Sequence, residues 1–303
     1  MKLLMKGTAP KERSVFMRKG YCLLGSLALL LLFSCNDADT KGQKLGADLN
    51  IPDSVQINLK DPQKEKEREK EKKKRIFMTF DDGPNLGTRN LLTILKEEKI
   101  PATMFLIGLH TGASPEQKLM WEQLQRFPGI ELFNHSYSHA WRNKFTSFYK
   151  NPDSVISDFN RAQAMMMLKE PIARTPGRNA WRIDSISRTD LLKNKSVIDS
   201  LQKKGGYVLI GWDLEWEFNH KNSQAVQSPD QLMAQVDHLF ASNKTLKPDN
   251  LVILAHDQMW RTSADSLKLH EFIRKLKTKS DYELAVITEY PGVKEALVNQ
   301  KRF

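Results

Sequence analysis

The chain has 303 residues, 40% of them hydrophobic, the fraction of a globular protein and enough for one large α/β domain or two small ones. Its formal net charge of +11 invites a polyanionic partner, but residues 1–34 carry +5, residues 35–59 carry −2 and residues 60–75 carry +4. Only +4 is left for residues 76–303, which argues against nucleic-acid binding, and with Cys22 and Cys35 as the only cysteines the body has no disulfide and depends on packing or bound metal.

Residues 1–34 read as an export signal, basic as far as Lys19 and then apolar from Tyr21 to Phe33, a core too short to span a bilayer. It ends in Leu32-Phe33-Ser34-Cys35, which resembles the lipobox of bacterial lipoproteins, with Phe33 bulky for its position. The resemblance implies a mature chain that begins at a lipidated Cys35 and is held on a bacterial membrane, periplasmic or surface facing. An uncleaved apolar anchor leads to the same cell-envelope location. Residues 35–75 read as a polar and charged tether: Pro52 and Pro62 interrupt a stretch without periodicity, and Lys64 to Arg75 has no apolar face to bury.

From residue 76 to residue 303 apolar runs alternate with amphipathic ones. The predicted strands are Ile76–Phe80, Ala102–Ile107, Ile130–Phe133, Ile172–Thr175, Tyr207–Trp212, Leu251–Ala255 and Glu283–Thr288. Helical patterns fall between them at Asn90–Glu98, Glu116–Phe127, Pro152–Lys169, Asp190–Lys204, Pro229–Ser242 and Ala264–Thr278. Asn151-Pro152 and Ser228-Pro229 each place a capping side chain before a proline at the first helical position, Ser263 is in place to cap the last helix, and Gly205-Gly206 ends another. Seven short strands separated by helices predict parallel pairing, as an open sheet or a closed barrel.

In such folds ligands gather at the carboxyl ends of the strands. Those ends carry Asp81-Asp82, then Asn134-His135-Ser136-Tyr137-Ser138-His139, then Arg174-Thr175-Pro176-Gly177, then Trp212-Asp213-Leu214-Glu215-Trp216, and finally His256-Asp257. Adjacent aspartates in a strand point to opposite faces; the turn at Gly83-Pro84 could bring them together, and Asp-Gly after a strand is otherwise an ordinary tight bend. His135 and His139 are one helical turn apart, so a short helix would point both imidazoles the same way. Two histidines and a carboxylate with open positions suit a catalytic divalent ion such as zinc. His110, His220 and His238 fall outside this set and read as exposed or structural; Met165-Met166-Met167 reads as helix packing.

The ordered set TFDDGP, HSYSH, Arg-x-Pro, the Asp and Trp cluster and Leu254-Ala255-His256 resembles the five motifs of the polysaccharide deacetylase family, the NodB-like carbohydrate esterases of family four. It covers roughly residues 76–290 and marks residues 76–303 as the catalytic domain. The resemblance implies a distorted (β/α) barrel of about seven parallel strands and metal-dependent removal of N- or O-acetyl groups from an acetylated polysaccharide, peptidoglycan or another envelope glycan. It implies Asp81 as general base and His256 as general acid. Asp82, His135 and His139 would bind the metal, by default Zn2+, with Co2+, Ni2+ or Mn2+ as substitutes, and Leu254 and Trp216 would line the acetyl pocket. Arg174 is expected to hold Asp81 and to be held in turn by Asp213 or Glu215.

Amide hydrolysis needs an activated water, an acceptor for charge on the acyl oxygen and a proton for the departing amine, which is why one of two neighbouring aspartates stays unligated. The third motif departs from the family, with Gly177 where an aromatic wall is usual; Trp181 is the candidate replacement, or the wall is missing. Trp181, Trp212, Trp216 and Tyr137 are candidates to stack on sugar rings, and Arg178 and Arg182 read as surface charge. Two other functions compete: a non-catalytic glycan-binding lipoprotein, and a metal-dependent hydrolase of a small non-glycan amide.

Overall fold

The computed structural model describes residues 73–300; the export signal, Cys35 and the tether as far as residue 72 lie outside the described residues. The fold is organised on β1 (Lys74–Gly83), buried from Ile76 to Asp81 and beginning two residues before the predicted strand. A strand buried on both faces reads as a continuous apolar run, and Ile76-Phe77-Met78 supplies it. One edge of β1 pairs with β9 (Asn250–His256), and the other pairs first with β10 (Tyr282–Ala285) and then with β2 (Ala102–Leu106). Beyond β2 the order continues through β3 (Ile130–Asn134), β4 (Ile172–Ala173) and β7 (Val208–Leu209), while β8 (Leu214–Glu215) lies on the far side of β9.

Four residues separate β7 from β8, and they carry the chain from one end of this order to the other. The Ile210 N–H donates to Ala173 O at 3.0 Å and the Asp213 N–H to Val252 O at 2.9 Å. The predicted strand Tyr207–Trp212 is therefore one bent segment, and its bend curls the mostly parallel sheet into a distorted (β/α) barrel. Counting it once gives seven parallel strands among the described residues. The sequence reading missed an antiparallel hairpin, β5 (Ala180–Ile183) and β6 (Ile186–Thr189), which flanks β7. Its signal was a short apolar alternation around the two-residue turn Asp184-Ser185.

Helices α1 (Thr88–Glu98), α2 (Pro115–Leu124), α3 (Pro152–Met165), α4 (Lys195–Lys203), α5 (Pro229–Ala241) and α6 (Ser263–Lys277) form the crossovers, and α7 (Val293–Gln300) follows β10. Asn151 and Ser228 cap α3 and α5 as expected, but α6 is capped by Thr262, whose hydroxyl accepts from the Asp265 N–H, and Ser263 is its first helical residue. Helix α3 stops at Met165, so of the three methionines only Met166 is buried. No helix among the described residues is long and apolar enough to cross a membrane.

Side-chain alternation along β1 sorts the core into two packs. Ile76, Met78 and Phe80 face outward onto Leu91, Leu95 and Leu269 of the helices, whereas Phe77 faces inward with Phe105, Phe133 and Val252. Thr79 and Asp81 follow Phe77 on the interior face, so the same alternation that fills the barrel delivers a carboxylate to its rim.

Helices α1 and α6 are joined at Glu98, which is contacted by His270 at 3.0 Å, Arg274 at 2.8 Å and Lys277 at 3.2 Å. Desolvation opposes ionisation there, but those hydrogen bonds outweigh it and hold the carboxyl at about 2, below its ordinary 4.5. A depressed carboxyl stabilises the fold above the unfolded-state value and loses that contribution as the pH falls towards the folded one. Glu98→Gln is expected to cost about 1–2 kcal/mol at pH 7, discounted because Arg274 and Lys277 are exposed, and to flatten the loss of stability between pH 4.5 and about 2. Urea unfolding of both proteins across that range checks it.

Candidate metal and catalytic centre

The two aspartates separate because the strand breaks between them. Asp82 has φ +74°, and the β1–β2 register shifts between Asp81 and Gly83. Such a bulge re-aims a side chain that the alternation would send to the opposite face. Asp81 keeps the interior direction and its Oδ1 accepts from Arg174 Nη1 at 2.9 Å. Asp82 Oδ1 lies 3.5 Å from His135 Nε2 and 3.2 Å from His139 Nε2, and it is buried without a hydrogen-bond donor.

The histidines come together by a different route from the one that their spacing predicts. His135 is in the loop after β3, where Asn134 Oδ1 accepts the Ser136 N–H at 2.8 Å and Asp158 Oδ2 accepts the N–H groups of Tyr137 and Ser138 at 3.0 and 3.1 Å. From His139 to Asn143 all five residues have φ between +49° and +67°. This is a left-handed turn, closed by Arg142 N–H to Ser138 O and Lys144 N–H to Ala140 O, both at 2.8 Å. Left-handed backbone costs on the order of 1–2 kcal/mol per non-glycine residue, so the surrounding hydrogen bonds have to enforce it. The expected right-handed helix carrying both imidazoles is therefore corrected: one lies before a reversed turn and the other opens it.

The donor set fits a divalent cation. Asp82, His135 and His139 each offer a ligand atom, all within 4.8 Å of one another. His135 Nδ1 lies 3.0 Å from Arg174 O, and His139 Nδ1 is bound by Asn143 Oδ1, so both Nε2 lone pairs face Asp82. Tetrahedral ligands at about 2.0–2.2 Å from zinc stand roughly 3.3–3.6 Å apart, and the Asp82–imidazole separations of 3.5 and 3.2 Å lie near that spacing. Acceptors bound to Nδ1 fix the tautomer that a metal needs. Burial pushes His135 well below its usual 6.5, keeping it neutral. Desolvation would raise Asp82, but His139, His256 and His135 outweigh it and bring the carboxyl down to about 2. Asp82 Oδ2 accepts from Gln258 Nε2 at 3.2 Å, and His110 Nδ1 lies 2.8 Å from the Asp82 carbonyl. His110 is thus part of the centre's support, which its position outside the motifs had not suggested.

His256, at the end of β9, is in register with Asp81, and its Nδ1 is buried without a partner among the described residues. Burial lowers His256 and raises Asp81, the latter partly offset by Arg174, so the proton affinities of the two groups move towards each other. Arg174, fully buried, also donates from Nη1 to Thr79 Oγ1 at 2.7 Å, from Nε to Ile210 O at 3.1 Å and from Nη2 to Gly211 O at 2.8 Å. Asp213 does not reach it. That carboxylate accepts the Leu246 and Val252 N–H groups at 2.7 and 2.8 Å, and burial raises it to about 6. Of the two acids, Glu215 is the one whose charge acts on Arg174.

The aromatic assignments change more. Trp181 is buried in the interior pack, 5.4 Å from Tyr290, and cannot wall a groove. Trp216 is fully buried, donates from Nε1 to Gln227 O at 3.0 Å and packs on Trp260 and Phe272. Leu254 is buried beside it, its carbonyl accepting the Trp216 N–H at 2.8 Å. Arg182 is buried as well and binds Asp199 at 2.7 Å. The ring beside Gly177 is Phe145: a Cβ on Gly177 would meet it at 2.8 Å, and it stands edge-on to His139 with centroids 5.7 Å apart. His220 contacts Phe218 at 4.6 Å, and Phe218 contacts His256 at 4.8 Å, a link invisible in sequence.

A polysaccharide deacetylase family model matches residues 68–174. A Bacillus cereus peptidoglycan-N-acetylglucosamine deacetylase is 27% identical over 61% of this chain and 60% of its own length. The Bacillus subtilis peptidoglycan-N-acetylmuramic acid deacetylase PdaC is 28% identical over 73% of this chain and 40% of its own. The chain thus spans less than two thirds of either relative. The catalytic domain of a peptidoglycan N-acetylglucosamine deacetylase from Eubacterium rectale superposes with a TM-score of 0.53 at 21% identity, covering 72% of this chain and 90% of that one. That likeness concerns the fold.

Gly177, at φ +61°, gives the Phe145 ring its space, and the ring in turn braces His139. Gly177→Ala is expected to weaken zinc affinity roughly tenfold, the size of effect usual for disturbed support of a metal ligand. Adding Phe145→Leu is expected to recover part of the loss, because the contact is relieved while the backbone strain stays. Competition against a chromophoric chelator measures both.

Proposed function

We propose that the chain is a NodB-like polysaccharide deacetylase, a metal-dependent hydrolase that removes acetyl groups from an N-acetylated glycan of the bacterial envelope, such as peptidoglycan, a reading supported by the family model over residues 68–174 and by the similar deacetylases. The observation that carries this reading is the unlike setting of two adjacent carboxylates. Asp81 is occupied by Arg174 and turned to the interior, whereas Asp82 presents an oxygen without a donor to two imidazole nitrogens. A glycan-binding protein without catalysis has no use for that division. Relatives whose names specify peptidoglycan deacetylation support the choice of glycan.

Asp82, His135 and His139 would hold the ion, Zn2+ by default, with Co2+, Ni2+ or Mn2+ able to use the same donors. When bound, it supplies a Lewis acid that acidifies a water and polarises the acyl oxygen. Asp81 accepts the proton of the attacking water, and Arg174 fixes the direction of its carboxylate. His256, from the neighbouring strand, delivers a proton to the sugar nitrogen as the carbon–nitrogen bond breaks, leaving acetate and a free amine. Leu254 and Trp216, buried side by side, would line the pocket for the acetyl methyl. A lipid on Cys35 would hold the enzyme against its polymeric substrate at the membrane surface.

Acetate release from N-acetylglucosamine oligomers and peptidoglycan fragments by zinc-loaded protein tests the activity. Asp81→Asn and His256→Ala are each expected to lose at least about a hundredfold in kcat while still binding zinc. No metal-dependent release from any acetylated sugar would overturn the function, and full activity in Asp81→Asn would overturn the base. The anchor is checked separately: the protein is expected to incorporate labelled fatty acid in cells and Cys35→Ala to lose that label, whereas label-free unsubstituted protein would overturn lipidation at Cys35.

A further inference from the structure

The cavity above Asp82 and His139 has a volume of about 430 Å³, and two arginines from different parts of the chain line it. Arg142 belongs to the left-handed turn after β3, and Arg261 follows the turn Asp257–Trp260 that leaves β9. Both are exposed, and among the described residues neither side chain makes an ion pair or a hydrogen bond. Arg89, Arg182 and Arg274, by contrast, each meet a carboxylate, at 2.5, 2.7 and 2.8 Å. Asp82 is the only carboxylate among the residues that line the cavity, and its charge is directed at the cation site. With a cation bound, the lining holds two guanidinium groups and no free negative charge.

A neutral polysaccharide gives such a lining nothing to neutralise. Guanidinium groups recognise carboxylates by paired hydrogen bonds and keep their charge at every physiological pH. Resting on the deacetylase reading above, we infer that the cavity selects acetylated glycans that carry carboxylates, with Arg142 and Arg261 holding a sugar carboxylate next to the unit that loses its acetyl group. Two sources offer that chemistry: the lactyl ether of a muramic acid residue and the C6 carboxylate of a uronic acid.

Calorimetric titration of the zinc-loaded Asp81→Asn protein, which binds without turnover, compares three oligosaccharides of equal length. They are an N-acetylglucosamine oligomer, a peptide-free strand alternating N-acetylglucosamine with N-acetylmuramic acid, and a strand alternating N-acetylglucosamine with glucuronic acid. At least one carboxylated strand is expected to bind about tenfold more tightly than the neutral oligomer at low salt, with the advantage shrinking as ionic strength rises. Which one does so identifies the carboxylate source. Adding Arg142→Gln or Arg261→Gln is expected to cut that selectivity about threefold or more, whereas Arg142→Lys and Arg261→Lys keep the charge and retain part of it. Carboxyl-reduced strands are expected to bind like the neutral oligomer. Equal binding of charged and neutral strands, or selectivity unchanged in both glutamine variants, overturns the inference. Loss of acetate release from every sugar, measured with the unsubstituted protein, would instead strike the deacetylase reading and leave the binding result standing.

Discussion

A guanidinium cut off from water has to be satisfied on every side, and Arg174 meets that requirement by joining the parts of the barrel that most need fixing. It grows from the end of β4, reaches Thr79 and Asp81 on β1, and donates to the carbonyls of Ile210 and Gly211 in the bent segment between β7 and β8. The ring of Phe105 lies 4.2 Å beneath it. A buried charge that loses its partner costs several kcal/mol, so the direction of the Asp81 carboxylate is dictated by stability before any chemistry is asked of it. Burial disfavours the charged form of Arg174, and Asp81 offsets that cost in part. The barrel's closure and the placing of its candidate base are the same interaction.

That constraint explains why two carboxylates adjacent in sequence have different lives. If β1 stayed regular through Asp82, its alternation would point that side chain towards the helices. The bulge at Asp82 releases the chain one residue early, so Asp81 belongs to the interior and Asp82 to the rim. On the opposite side the left-handed turn does the complementary work, since it swings His139 back over His135 to bring the ring centroids to 5.2 Å. Both devices put strained backbone beside the same three ligand atoms. Strain of this kind persists only where neighbours over-determine it, and Asn134, Asp158, Asn143 and Phe145 supply that determination.

Much of this was legible because it follows from period and punctuation. The buried run of β1, the parallel strands β2, β3 and β9, and the proline-led helices α3 and α5 are local patterns that tertiary packing had no reason to override. Asp81, Asp82, His135, His139, Arg174 and His256 gather at one rim because polar groups at the carboxyl ends of parallel strands have no other place to go. What stayed hidden depends on contacts between distant residues. Nothing in His139-Ala140-Trp141-Arg142-Asn143 announces positive φ, because no glycine is there to do so. Trp181 and Trp216 look like sugar platforms in sequence, but an indole next to a strand end is as easily an anchor for the core. Asp213 sits at the expected motif position, yet the two N–H groups near it capture its carboxylate before Arg174 can. Arg182 shows the reverse: a charge read as surface that Asp199 and two carbonyls draw inside.

The same reversed turn links metal affinity to substrate choice. Of the three ligands, His135 is buried and locked to the Arg174 carbonyl, while Asp82 and His139 border the cavity. An ion entering from the cavity would meet Asp82 and His139 before His135, and the energy of binding His139 would be available to hold the turn in its strained form. Arg142, three residues further along, takes its position from that form. On the proposed function, a cation in the site would fix the place of the Arg142 guanidinium that lines the cavity, and a carboxylate drawn to that guanidinium would favour the backbone in which His139 is aimed at the ion. Coupling of this kind would be reciprocal, so each ligand would favour the other by the same factor, whichever bound first.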